Sequence, residues 1–459
     1  MKKILFYNWV PLDETGGGGV EHYQKNILNY FAKDTDYEVY YLSSGFSYDN
    51  SKKIHIRYYK NIDGIKSFDV VNSPMIAPGN LDCLNLNRYI NDDSLAEVLI
   101  KFIKDNAGFE IVHLNNIEGL TLKGIKTFKQ EYPETKVFYS AHNYFPICPE
   151  VNLWEGYADG KRNCELQNCR KCAENRLVVR RDLYKISRMY HYKKGLHTIE
   201  IWGSKLFKVV GKNADYQDFI GMNVDLLNTY VDKVLAVSER VREIFIARGV
   251  EENKVIVSYI GTKVAEKKLN YSNIDIHCNP LKIIYMGYMR DDKGGFFMID
   301  ALEQIPEKAA KKMEVTFVAK GIENCSKELK RLDVIRNKFL KFIIKDGYKH
   351  EEQKELLKNK HLGIVPVLWE DNLPQVAIEQ IAAGVPIMTS DLGGAAELFD
   401  SKKEFVFKAG NTQDFVNKII YIAEHRKLLN DFWDSVRPLV TIQQHIEELK
   451  DIYFYKSND

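Results

Sequence analysis

The stretch HLGIVPVLWEDNLPQVAIEQIAAGVPIMTSD, His361 to Asp391, reads as one strand–helix–strand unit. HLGIVPVL is a short apolar run, as expected of a strand buried on both faces. Trp369–Leu373 is its exit loop. Pro374 suits the first helical position, where its missing N–H would have no intrahelical partner anyway. The helix runs through Gln380 and stops near Gly384, and VPIMTS supplies the next strand. A free helix start offers backbone N–H donors and a partial positive charge, which suits an anion such as a diphosphate. Asp371 stands just before that start, and Glu379 lies about one and a half turns inside the helix. Two readings of these carboxylates are open. Asp371 caps the helix and Glu379 is an exposed helical residue, or the two flank a bound diphosphate and accept hydrogens from hydroxyl groups on either side.

The same alternation extends both ways along the chain. The runs LKIIYMG, VTFVAKG and LKFIIKDG precede the quoted unit. Upstream, Ile4–Tyr7, Glu38–Leu42, Ile111–Leu114, Val137–Ser140, Val234–Val237 and Val255–Tyr259 read as further buried strands. Helical patterns separate many of them, such as Val20, Tyr23, Ile27, Leu28 and Phe31. Alternating strands and helices imply parallel sheets covered on both faces. The polar segment Lys263–Pro280 divides the two series. The expected fold class is therefore α/β, with two Rossmann-like domains facing across a cleft. The first spans residues 1–265 and carries an insert at about 143–215. The second spans 266–440, and a helix in 441–459 packs back on the N-terminal domain. Ligands in such sheets bind beyond the C-terminal ends of the strands.

Composition narrows the classes. The 459 residues suffice for two or three domains, and 45% hydrophobic with 28% charged is globular. A net charge of +2 gives no global nucleic-acid signal. No apolar run approaches the roughly 18 residues of a membrane span, and the N-terminus lacks a small-residue cleavage site. The expected location is cytoplasmic, peripheral on the inner face of the plasma membrane, with the seven cysteines mostly reduced.

Two loops follow strand ends. Thr15-Gly16-Gly17-Gly18-Gly19 allows close backbone approach to a ligand. It fails the G-x-G-x-x-G pattern, which would need glycine at Glu21 or His22. It reads either as a close-approach loop or as a surface turn. Gly287-Tyr288-Met289-Arg290-Asp291-Asp292-Lys293-Gly294 sets Arg290 and Lys293 where they would neutralise a phosphate leaving group, or else stand as solvated charges among aspartates.

Together these pieces resemble a GT-B glycosyltransferase of family 4, the retaining nucleotide-sugar enzymes of the bacterial surface-polysaccharide type. The residues carrying the resemblance are Gly18-Gly19-Val20-Glu21, YVDKVLAVSE at Tyr230–Glu239, Lys293-Gly294, Asp371-Asn372-Leu373-Pro374 with Glu379, and Gly393-Gly394-Ala395-Ala396-Glu397. The family's pair of acids eight positions apart falls on Asp371 and Glu379, while Glu370 is out of register. The resemblance implies that Asp371, with the backbone of Asn372, Leu373 and Pro374, contacts the donor sugar. Glu379 would hold the ribose, Lys293 the diphosphate, Tyr348 the base, and Gly18 and Gly19 the diphosphate or sugar. His142 would lie near the reacting centre. The chain departs from the family at three points. Tyr288 replaces the usual arginine, for which Arg290 would substitute. The first acid is aspartate. Ile260-Gly261-Thr262-Lys263 replaces the family's N-G-x-D.

The implied reaction moves a sugar from a UDP- or GDP-sugar to a glycan or lipid-diphosphate-linked acceptor, with retention and without a catalytic metal or other cofactor. Rival readings are a nucleotide-sugar epimerase or a phosphorylase on the same frame, or an inactive partner subunit. Cys148, Cys164, Cys169 and Cys172 form C-x15-C-x4-C-x2-C, which fits a structural zinc site or four separate thiols. Between Lys161 and Lys212 stand fourteen Lys or Arg and four Asp or Glu, interleaved with apolar residues. That suits an anionic membrane surface or a lipid-diphosphate acceptor, or a solvated helical face. Nucleic acid fits poorly, because the charge is confined to one insert.

Overall fold

The computed structural model describes residues 1–13, 18–79, 86–154, 216–266 and 280–454, together with Cys164, Lys185, Arg188, Met189 and Tyr271. The chain divides into two compact units. One comprises Met1–Leu153, Glu165–Ile260 and Ile442–Asp459; the other comprises Trp154–Cys164 and Gly261–Thr441.

In the N-terminal unit β1 (Lys2–Tyr7), β2 (Tyr37–Ser47), β3 (His55–Ile62), β4 (Ile65–Val71), β5 (Ile111–Leu114), β6 (Lys136–Ala141), β7 (Lys233–Ala236) and β8 (Val255–Val257) form one sheet. The order is β3-β4-β2-β1-β5-β6-β7-β8. Every pair is parallel except β3–β4, an antiparallel hairpin. That hairpin was not expected from the sequence, because β3 is polar and partly exposed. Its signal is Asp63-Gly64, with φ of 51° and 89°: both central residues have the positive φ of a tight two-residue hairpin turn. The central strands are apolar on both faces, and Ile4, Leu5, Phe6 and Tyr7 are all at most 4% exposed.

The helix Ile442–Phe454 belongs to this unit. Ile442, His445, Ile446, Leu449 and Tyr453 form its buried stripe. Tyr453 is fully buried and bonds His113 Nδ1, while His113 Nε2 meets the Ser140 hydroxyl at 2.7 Å. His445 Nε2 meets the Tyr23 hydroxyl at 2.6 Å, and Lys450 pairs with Asp34 at 2.6 Å.

The C-terminal unit is built from β9 (Leu281–Tyr288), β10 (Met313–Lys320), β11 (Lys341–Lys345), β12 (Leu362–Val365), β13 (Ile387–Ser390) and β14 (Val406–Phe407). All are parallel, in the order β11-β10-β9-β12-β13-β14. This is the doubly wound order, whose direction of travel reverses between β9 and β12. β12 ends at Val365, because Pro366 has no N–H for the ladder. Against the helix Gln375–Ala382, β12 presents Gly363. A Cβ there would fall 1.5 Å from Gln380 Oε1, so only glycine admits the fully buried amide. Among the described residues no helix is long and apolar enough to cross a membrane.

Candidate functional site

The exit loops of β9 and β12 flank the reversal point of the C-terminal sheet. The β9 loop turns back on itself at Lys293-Gly294. Tyr285, buried in β9, donates from its hydroxyl to the carbonyls of Tyr288 at 3.0 Å and Lys293 at 3.4 Å, pinning both ends of the loop. Gly294 has φ of +74°, and a Cβ on it would fall 1.9 Å from the Pro366 carbonyl oxygen. Glycine here lets the two loops touch. Gly294→Ala is expected to cost on the order of 2 kcal/mol or more, through the left-handed backbone and the clash. It should also displace Lys293, so thermal melting and ligand affinity fall together.

The contact brings Lys293 to Asp371. Nζ lies 2.6 Å from Oδ2, with the lysine side chain 28% and the aspartate 10% exposed. The same ammonium stands 4.8 Å from the Trp369 ring centroid. Asp371 is held from behind by its backbone, because its carbonyl accepts from Gly394 N–H at 3.0 Å. Gly393 has φ of +69°, and a Cβ on it would lie 2.0 Å from that carbonyl. Glu370, 2% exposed, accepts from Gly393 N–H at 2.9 Å and so braces the same loop.

Asn372, Leu373 and Pro374 complete the loop, all buried. Pro374 is the residue before the first helical position rather than that position itself, and the helix runs Gln375–Ala382. No side chain caps its start. The capping reading of Asp371 therefore fails, since its carboxylate is directed to Lys293. Glu379 is not an exposed helical residue either. It is half-buried and accepts a hydrogen bond from Gln353 Nε2. Burial raises its pKa, partly opposed by the Gln353 bond and by His350. Tyr348 packs beside it on a core of Ile284, Met286, Val318, Leu357 and Val385. Burial, then the Glu379 charge, pushes the Tyr348 phenol up.

Arg290 pairs with a neighbour on its own loop. Its Nε and Nη2 bond Asp292 at 2.9 and 2.6 Å, a bidentate pair that offsets its charge. Tyr288 is 48% exposed.

Gly18, Gly19 and His142 belong to the N-terminal unit. The two glycines open the helix Gly18–Lys33. His142 follows β6, and its ring packs on Tyr23 at 4.7 Å between centroids. Its Nε2 is occluded without a protein partner. Burial first, then His445, lowers its pKa to about 3, so the ring is neutral at physiological pH. Of the four cysteines, Cys148 is buried and Cys164 half-buried, while Cys169 and Cys172 lie outside the described residues. Among the described residues no group of three or more His, Cys, Asp or Glu is placed to hold a metal ion.

Among the residues that escaped the sequence reading are two with chemistry of their own. Gln353 is one. Glu118, beyond β5, is the other: 1% exposed, it accepts from Gly79 N–H and from Asn143 Nδ2. Burial pushes its carboxyl up to about 7. A proton held more tightly when folded stabilises the fold below the unfolded carboxylate pKa, and that contribution is lost as pH rises towards 7. Wild type should thus lose about 3 kcal/mol relative to Glu118→Gln between pH 4.5 and 7.5, read as diverging melting temperatures.

The fold corresponds to that of known structures. Anabaena HepE in complex with UDP and glucose superposes with a TM-score of 0.58 at 14% identity, covering 99% of this chain and 100% of that one. Sucrose-phosphate synthase from Thermosynechococcus elongatus gives 0.58 at 13% identity, covering 99% and 98%. An E. coli structure described as trehalose-6-phosphate bound with UDP-2-fluoro glucose gives 0.56 at 11% identity, covering 99% and 100%. The fold is GT-B, with two parallel-sheet units. More specifically, residues 266–437, within the C-terminal unit, match the family model for Glycosyl transferases group 1. No curated protein matches the chain.

Proposed function

We propose that the protein is a retaining glycosyltransferase that moves a sugar from a nucleotide-sugar, UDP-linked in the first instance, to a glycan or lipid-diphosphate-linked acceptor of a bacterial surface polysaccharide. The observation that carries the reading is the Lys293–Asp371 pair at the reversal point of the group 1 domain, beside an uncapped helix start. HepE and the E. coli structure hold UDP or a UDP-sugar, which supports the donor class.

The roles follow from chemistry. Asp371 accepts from the donor sugar's hydroxyls and Glu379 from the ribose. The bond from the anomeric carbon to the diphosphate oxygen breaks, and charge develops on the leaving diphosphate. Lys293 and the helix start near Gln375 stabilise that charge, so the proposal assigns no metal to it. The acceptor oxygen bonds the anomeric carbon on the same face, and its proton passes to the departing phosphate oxygen. His142, neutral and with Nε2 lacking a protein partner, is assigned to an acceptor hydroxyl. Gly18 and Gly19 are assigned close backbone approach to the donor.

A thermal-shift series with UDP-, GDP- and CMP-sugars tests the reading. At a hundredfold excess over Kd, a bound donor adds about 2.7 kcal/mol. A UDP- or GDP-sugar should raise the melting temperature, and Glu379→Ala should abolish the rise. No shift with any nucleotide-sugar would overturn the proposal. Turnover dependent on inorganic phosphate would favour a phosphorylase instead.

A further inference from the structure

We infer that Gln353 is a positioning residue: its amide holds the Glu379 carboxylate in place to receive a vicinal diol, and so gives the site its preference for ribose over deoxyribose. The inference rests on the nucleotide-sugar reading above.

Gln353 opens the helix Gln353–Leu357 and is 8% exposed. The turn before it is fixed, since the Glu352 carboxylate accepts from Lys349 N–H at 2.7 Å and from Lys345 Nζ at 2.5 Å. Leu357, at the other end of the helix, is part of the core against which Tyr348 packs. The amide therefore projects from anchored backbone. Its Nε2 donates to Glu379 Oε2, and the Tyr348 phenol stands near both side chains. Among the described residues no protein donor reaches Glu379 Oε1, which leaves that oxygen to a ligand.

A neutral donor suits this position, and the amide supplies one. Lysine would neutralise the carboxylate and compete for it. A second carboxylate would repel it. A hydrocarbon would leave Oε2 without a donor in a half-buried setting, where the charged form is already disfavoured. An ionised carboxylate accepts at both oxygens, but a protonated one donates at one of them, which is the wrong pattern for gripping two hydroxyls. The titratable groups facing Glu379 are His350 and Tyr348. Tyr348 stays protonated throughout the working range, whereas exposed His350 needs a control.

The experiment is isothermal titration of the full chain with UDP, GDP, 2′-deoxy-UDP and inorganic pyrophosphate at pH 6 and pH 8, in a His350→Asn background. Wild type should prefer UDP to 2′-deoxy-UDP about tenfold. Gln353→Leu should weaken UDP about tenfold, leave pyrophosphate within twofold and erase the ribose preference. Its UDP deficit should be larger at pH 6 than at pH 8, because Glu379 protonates more readily without the amide. Gln353→Glu should reverse that trend, recovering UDP affinity at pH 6, where the two acids share a proton. Equal losses for UDP and pyrophosphate, or losses independent of pH in both variants, would show a merely structural role and overturn the inference. Wild type failing to bind both UDP and GDP would overturn the donor reading itself, and this inference with it.

Discussion

Lys293→Ala is expected to lower kcat by about 10²–10³-fold, the loss typical of removing one preorganised partner of developing charge. The lysine does not wave in solvent. Its ammonium is fixed by Asp371 at 2.6 Å and lies near the Trp369 ring, on a loop pinned by the Tyr285 hydroxyl. Without it the Asp371 carboxylate, 10% exposed, would face an incoming diphosphate with no counter-charge, so KM for the donor should rise as well. The double variant Lys293→Ala/Asp371→Asn separates the two effects. It should recover part of the donor affinity and none of kcat. Lys293→Arg keeps the charge but not the point geometry, and should recover only part of the rate. Steady-state kinetics with varied donor checks all three. An unchanged kcat in Lys293→Ala would remove the electrostatic basis of the mechanism.

The largest stability effect is expected at Tyr453. Its ring is fully buried, with Phe138 at 4.9 Å and His113 at 5.7 Å between centroids, and its hydroxyl bonds His113 Nδ1. Tyr453→Ala should cost about 3–5 kcal/mol by leaving a large cavity. Tyr453→Phe keeps the ring but leaves a buried histidine nitrogen unpaired, for about 1–3 kcal/mol. Burial first, then His142 and His445, lowers the His113 pKa to about 3. The imidazole is therefore neutral, and protonation offers no cheap substitute for the lost bond. Denaturant unfolding followed by a probe in the N-terminal unit would measure both. A Tyr453→Ala protein as stable as wild type would mean that the helix Ile442–Phe454 contributes little to that unit.

What the sequence shows and hides follows from the range of the interactions. Buried parallel strands are apolar on both faces, so β1, β5, β6, β7, β9, β10 and β12 stand out as short runs. β3 and β4 pair in a half-exposed hairpin whose cue is two turn residues rather than a pattern. Asp371 and Glu379 could be singled out, but not their partners. Whether a carboxylate before a helix caps it or meets a lysine seventy-eight positions away depends on how two loops converge. That convergence needs Gly294 against Pro366. Gln353 and Glu118 carry no local mark, because their chemistry comes from burial and from donors supplied by other segments. The bond from Arg290 to a residue two places away is likewise not visible from spacing alone.

The helix Ile442–Phe454 packs on a sheet whose strands all precede Ile260, and the long segment Gly261–Thr441 of the C-terminal unit is made in between. A ribosome therefore releases the N-terminal sheet with the stripe meant for Tyr453, Leu449 and Ile446 still wet. The second unit has the chance to fold first, while the earlier one waits as an incomplete, sticky intermediate. Holdase chaperones are therefore expected to engage nascent chains longest in that interval.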